Sequence, residues 1–159
     1  MAAKPAQPRP ASRPVVEYRR ILVPLVGSEA SEQAVTIACG LAAEHGCSVT
    51  ALTVIEVPPE LPLDAHMLEE EIEAKHLLAD AKAIGDLYGV NVAARIVRAR
   101  AAGAAIVDET VRAETEIIVL RAPRKQRLGR RAAIFGKTVD YVLKHAPCRV
   151  MVAAPPPEA

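Results

Sequence analysis

Tryptophan is absent from this chain of 159 residues, and one Phe and three Tyr make up its aromatic content. Hydrophobic residues still account for 51% of the chain, so the core has to be built from Ala, Val, Leu and Ile. An aliphatic core is what helices packed on both faces of a sheet require. Charge of one sign is equally scarce: 20 Lys and Arg against 19 Asp and Glu leave a net +1. No global field draws the chain to nucleic acid or to an acidic membrane, and any electrostatic role is local.

Cysteine is sparse too. Cys39, Cys47 and Cys148 are an odd set without metal-type spacing. That excludes a disulfide framework, points to a reducing cytoplasm, and leaves each thiol as a small apolar side chain. No apolar run approaches the length of about 20 residues that spans a bilayer. Residues 1–17 are rich in Ala and Pro but lack the apolar stretch of a secretory signal. They read as a flexible tail, as do residues 154–159, so one folded domain is expected over 18–153, in the cytoplasm.

What is present alternates between short apolar runs and segments of helical period, the pattern of a parallel α/β sheet. Strands are expected over 21–26, 48–57, 90–97, 116–120 and 149–152. Helices are expected from Ser28 or Ser31 as cap to Gly46, then over 68–88 with Gly89 as stop, over 102–113 and over 137–145. Ala34, Ile37, Ala38, Leu41 and Ala42 share one face of the first helix. Val139, Val142, Leu143 and Ala146 form the apolar stripe of the last, and Val92, Ala94 and Ile96 share a face of the third strand. Residues 60–67, with Pro62, read as an irregular connection exposing apolar groups. Glu69, Glu70 and Glu71 suit the positive end of the second helix and read as a solvated helix start rather than a metal site.

Right-handed crossovers make the sheet wind outward on one side and return on the other. If the fourth strand returns beside the first, the order is 3-2-1-4-5: a single three-layer domain, Rossmann-like, with helices on both faces. The binding crevice then lies between the carboxyl ends of strands one and four. It faces Pro24, Leu25, Val26 and Gly27 on one side and residues 121–138 on the other.

That second side is crowded with positive charge. Arg121, Arg124, Lys125, Arg127, Arg130 and Arg131 are six of the eleven residues from 121 to 131. Gly136-Lys137-Thr138 follows at the mouth of a helix. A P-loop needs another glycine five residues before Gly136, where this chain has Arg131. The generic reading survives: free N–H groups at a helix N-terminus, with Lys137 and Thr138 beside them, favour an anion. The basic loop stays open between solvated or partner-facing surface, a small-anion or nucleotide site, and nucleic-acid or membrane contact. Against the last stands the lack of interleaved aromatics.

The run Ile21-Leu22-Val23-Pro24-Leu25-Val26-Gly27-Ser28 and the ending from Gly136 through His145-Ala146-Pro147-Cys148 to Val152 resemble universal stress proteins. The resemblance covers almost all of 18–153. It implies the 3-2-1-4-5 sheet and a homodimer formed through the last strand, Arg149, Val150, Met151 and Val152. In one branch of the family it implies ATP or AMP in the crevice, with Pro24 to Gly27, Val54, Arg121, Ala122, Gly136, Lys137 and Thr138 around it. That branch carries an acidic residue where this chain has Val26, and Gly-x-x-Gly after the fourth strand. In one register those glycine positions hold Arg121 and Arg124, in the other Pro123 and Gln126. Backbone approach to phosphate needs glycine there; arginines would grip an anion with side chains instead.

The run 60–65 and the Ala-Pro-Arg loop after the fourth strand also resemble the stress-protein domains appended to some bacterial amino-acid permeases. The function expected is a regulatory, ligand-sensing module without turnover. No cofactor is required, and the ligand expected in the crevice is a nucleotide or other anion, with ATP, AMP or a cyclic nucleotide as candidates. The alternative is a transport-linked interaction module docking an acidic partner through 121–131. Neither nucleic acid nor a membrane span is expected as a partner. His45, His66, His76 and His145 are scattered, no nucleophile and base fall together, and His145 is expected against the last carbonyls of its helix.

Overall fold

The computed structural model describes residues 18–25, 28–121 and 136–153, with the side chains of 28–31 left aside. The expected tails, the choice between Ser28 and Ser31 as cap, and Val26, Gly27, Ala122, Arg124, Lys125, Arg127, Arg130 and Arg131 lie outside what is described. Nine elements alternate: β1 (Arg20–Pro24), α1 (Ser28–His45), β2 (Ser48–Glu56), α2 (Leu68–Tyr88), β3 (Val92–Ala99), α3 (Ala102–Arg112), β4 (Ile117–Arg121), α4 (Lys137–His145) and β5 (Arg149–Ala153). The strands form one parallel sheet of order β3-β2-β1-β4-β5.

Alternation along each strand divides the core into two layers. Ile21 and Val23 of β1, Val49 and Ala51 of β2 and Ile117 and Val119 of β4 face α1 and α2, where Ala34, Val35, Ala38, Cys39, Leu78 and Ala81 meet them. Leu22, Leu52, Ile118 and Leu120 face the other way, onto Ile106 of α3 and Val139 and Val142 of α4. Each fully buried Leu, Ile or Val contributes about 1.5–3 kcal/mol, so this aliphatic double layer is the main source of stability. No helix among the described residues is long and apolar enough to cross a membrane.

Three details differ from the sequence reading. β3 begins at Val92 rather than Val90, because Val90 is used in the turn that ends α2: its N–H bonds to the Gly85 carbonyl at 2.8 Å. Gly89 sits there at φ 68°, the left-handed conformation that glycine adopts without strain. Ala94 and Ile96 share a face with Val92 but are exposed, since β3 is an edge strand that α2 covers only in part. Leu143 is 43% exposed, whereas Val139 and Val142 are buried, because α4 presents a stripe too narrow to include it.

Among the described residues two charged ones lie inside, Glu109 and Arg121, and of these Glu109 is paired. Glu109 of α3 is 5% exposed and accepts hydrogen bonds from Arg112, at 2.9 Å to Nη2, and from Arg95 of β3. The Arg112 hydrogen bond, with that of Arg95, outweighs the opposing effect of burial and holds its carboxyl down at about 2. The Arg95 ion pair fastens edge strand β3 to α3, and the Arg112 pair lies within α3 itself.

Candidate functional site

The order of strand addition reverses at β1, which is flanked by β2 and β4, and this is where open α/β sheets bind ligands. Pro24 ends β1, yet the Leu25 N–H still bonds the Leu52 carbonyl at 2.8 Å, so the sheet continues one residue past the proline. Beyond that edge lies a cavity of about 350 Å³. Its floor is Pro24, Leu25 and the end of β2 from Leu52 to Glu56. Its walls are Glu70, Glu73, Ala74 and Leu77 of α2, Ala102 and Ile106 of α3, and Thr138 of α4.

Each wall is positioned by specific contacts. α3 starts after Ala101, which has no capping side chain, and the Glu56 carboxylate takes the Ala102 N–H instead, at 2.9 Å. α2 is placed by Arg98 of β3 and by Arg100, which directly follows that strand. Arg98 donates to the Ala65 carbonyl at 2.7 Å and pairs with Glu71, while Arg100 donates to the carbonyls of Pro58 at 2.6 Å and Leu61 at 2.7 Å. These bonds fix the 58–67 connection, which exposes Leu61 and Leu63 as expected, and thereby the start of α2.

α4 begins at Gly136, with φ 83° and ψ 161°, a region open essentially to glycine alone. The first bond of the helix runs from the Asp140 N–H to the Gly136 carbonyl at 3.0 Å. The N–H groups of Lys137, Thr138 and Val139 precede it and have no acceptor within the helix, and no side chain caps them. Lys137 is exposed and Thr138 half-buried.

Of the residues singled out in the sequence, Pro24, Leu25, Val54 and Thr138 line this cavity, and Gly136 and Lys137 adjoin it through the start of α4. The crevice was expected between β1 and β4. Residues 122–135, expected on the far side of that crevice, lie outside the described residues; the described cavity is lined from β1, β2 and Thr138 of α4 and by no described β4 residue. Arg121, read as the first residue of the basic loop, is the last of β4 and only 8% exposed. It shares the α1-facing side with Ile117 and Val119 and makes no hydrogen bond or ion pair among the described residues. His145 stacks on Tyr141, ring centroids 4.3 Å apart, rather than serving the end of α4.

Sequence reasoning missed Thr53, Glu56, Glu70 and Glu73. Thr53 is 6% exposed, and its Oγ1 is the one buried side-chain polar atom without a partner among the described residues. A threonine inside an apolar strand ending was the available signal.

Residues 17–154 match the universal stress protein family. The chain belongs to that family. Among its relatives is a universal stress protein of Methanocaldococcus jannaschii, 28% identical over 145 residues that cover 87% of this chain and 84% of the relative. A universal stress protein solved in complex with cAMP superposes with a TM-score of 0.68 at 18% identity, covering 87% of this chain and 98% of that one. The universal stress protein from Archaeoglobus fulgidus, solved in complex with dAMP, gives a TM-score of 0.67 at 20% identity, covering 86% and 98%. At these identities the solved structures establish the universal stress protein fold for this chain.

Proposed function

We propose that this universal stress protein is a regulatory module that binds an adenine mononucleotide without turning it over. The anionic end lies at the start of α4 and the base in the cavity over β1 and β2. The observation that carries this reading is the meeting of a cavity of drug-sized volume, about 350 Å³, with an uncapped helix N-terminus at the switch point of the sheet. The cAMP and dAMP held by two relatives of the same fold support it. A monophosphate suits the chain better than ATP, because glycines that would admit a triphosphate to the backbone are lacking after β4.

Calorimetric titration with AMP, cAMP and ATP tests the proposal. Binding of AMP or cAMP in the micromolar range, with ATP at least tenfold weaker, is the expected result. Gly136→Ala should weaken it further by moving the Lys137 and Thr138 N–H groups, while costing the fold about 1–3 kcal/mol of backbone strain. No heat with any of the three nucleotides at millimolar concentration would end this reading.

The proposal includes a homodimer through β5. Among the described residues that strand pairs only with β4, and Val150 and Val152 are half-buried while Met151 is 36% exposed, an apolar edge left for a partner. Sedimentation velocity at micromolar concentration should show a dimer that Met151→Lys dissociates. A monomer alone at that concentration would refute it.

A further inference from the structure

Every Lys and Arg of this chain lies outside residues 21–74, while Glu60, Asp64, Glu69, Glu70, Glu71 and Glu73 crowd the end of that stretch. The same short segment leaves apolar groups in water. Leu61 is 42% exposed, Leu63 46%, Leu68 68% and Ile72 48%. A single exposed leucine is ordinary on any surface. A group of them between 61 and 72, rimmed by charge of one sign, marks an interaction surface.

Arg98 makes the group contiguous. Its Nη1 donates to the Ala65 carbonyl at 2.7 Å and reaches the Leu63 carbonyl at 3.5 Å, while its Nη2 pairs with Glu71, which lies between Leu68 and Ile72 on α2. One guanidinium thus brings the connection against the flank of α2 that carries both exposed side chains. Arg100 holds the other end at the carbonyls of Pro58 and Leu61. Two tight turns complete the segment, with the Leu61 N–H on the Pro58 carbonyl and the Ala65 N–H on the Pro62 carbonyl, each at 3.0 Å. Its inward anchor is Met67, which packs on Ile55, Val57 and Ala74. The leucines are therefore held outward by a fixed backbone, and a surface already ordered loses little entropy when it is covered.

The charges point to the partner. Glu60, Asp64 and Glu69 are exposed, and none makes a hydrogen bond or ion pair among the described residues. Arg98 and Arg100 are turned onto the carbonyls and Glu71, so the rim stays negative. Such a rim repels an anionic bilayer or an acidic protein and attracts Lys and Arg. Strand addition is disfavoured, because Arg95 and Arg98 line the adjoining edge strand β3. Leu68 and Ile72, one turn apart, offer instead an i, i+4 pair on which another helix can seat its apolar stripe.

We propose that the 60–72 surface docks a basic amphipathic helix of a partner protein, with its apolar stripe on Leu63, Leu68 and Ile72 and its Lys or Arg side chains on Glu60, Asp64 and Glu69. Docking at this surface requires no nucleotide in the cavity.

Fluorescence anisotropy with a synthetic helix of Leu and Lys in helical period, in the absence of nucleotide, tests it. One peptide should bind per protomer at micromolar concentration and more weakly as salt rises. A peptide with Glu in place of Lys should not bind. Leu68→Gln with Ile72→Gln should weaken binding by about tenfold or more, as should Glu60→Lys with Asp64→Lys and Glu69→Lys. All five positions are exposed, so the melting temperature should hold. Leu87→Gln, at the far end of α2 and 84% exposed, should change nothing. No binding of the Leu and Lys peptide at millimolar concentration, equal binding of both peptides, or full affinity after Leu68→Gln with Ile72→Gln would overturn the proposal. Adhesion of the wild type to neutral lipid vesicles, or self-association that the same double variant abolishes, in place of peptide binding would overturn it in favour of a lipid surface or a second copy. None of these outcomes alters the nucleotide titration, so the two readings fail separately.

Discussion

Gly85→Ala should destabilise this protein by about 2 kcal/mol, although the same change inside a helix ordinarily adds up to about 1 kcal/mol of stability. Gly85 lies in the buried stripe of α2 with Ala74, Leu78 and Ala81. An added Cβ would stand 2.6 Å from the Val90 carbonyl oxygen and 2.5 Å from a Val92 methyl group. The methyl could rotate; the carbonyl could not, because the Val90 N–H is bound to the Gly85 carbonyl at 2.8 Å and Val92 already starts β3. Relieving the clash would therefore pull the α2–β3 turn open, an overpacking cost of about 1–3 kcal/mol or more, set against the propensity gain. Gly40, in the middle of α1, has nothing within 4 Å of an added Cβ. Gly40→Ala should raise stability by about 0.5–1 kcal/mol. Urea denaturation of the two variants decides the matter: shifts of the same sign would show that the turn is not packed as described.

Removing both guanidinium partners of Glu109 should reverse the sign of its pH dependence. In the wild-type protein the carboxyl is held at about 2 against an ordinary value of 4.5. The folded state thus keeps the charge while the unfolded chain takes up a proton, and the stabilisation is complete above pH 4.5 and lost as pH falls toward 2. Its size is on the order of 2 kcal/mol, less than the full shift implies because the Arg95 and Arg112 side chains are 41% and 55% exposed. With Arg95→Met and Arg112→Met together, only burial acts on the carboxyl, and burial raises its pKa. An uncompensated carboxylate should then cost about 3–5 kcal/mol at neutral pH. The variant would regain stability relative to wild type as pH falls through the raised value. Denaturation from pH 7 to pH 2.5, with Glu109→Gln as the reference that cannot titrate, reads both slopes. Parallel curves for wild type and the double variant would contradict the ion-pair account.

Much of this architecture was legible because glycine and proline mark element ends by mechanism. Gly46 and Gly89 bound α1 and α2, Pro24 closes β1, and the period of Ala34, Ala38 and Ala42 fixed the buried face of α1. The 3-2-1-4-5 order followed from crossover handedness once the fourth strand was placed beside the first. The shift of β3 was not legible, since Val90 reads as a strand residue and only the tertiary turn claims it. The site was half legible. Pro24, Leu25, Val54 and Thr138 were accessible from strand ends and the helix start, but Glu70 and Glu73 reach the cavity only because Arg98 and Arg100 hold the preceding connection and so set where α2 begins. Such a dependence, across about thirty residues of chain, has no local signature.

The two outer strands of the sheet are unlike. β3 carries Arg95 and Arg98 and is followed directly by Arg100, and their guanidinium groups fold back onto α3 and the 58–67 connection, while β5 presents Val150, Met151 and Val152 with Arg149 at its start. Charged side chains on an outer strand discourage strand addition from another molecule. A sheet with two adhesive borders would grow head to tail without limit, but one with a single adhesive border can join one other copy and then has nothing left to offer. For the dimer proposed through β5, the charged border of β3 is expected to hold assembly at two copies and keep the sheet from becoming the repeating unit of a fibre.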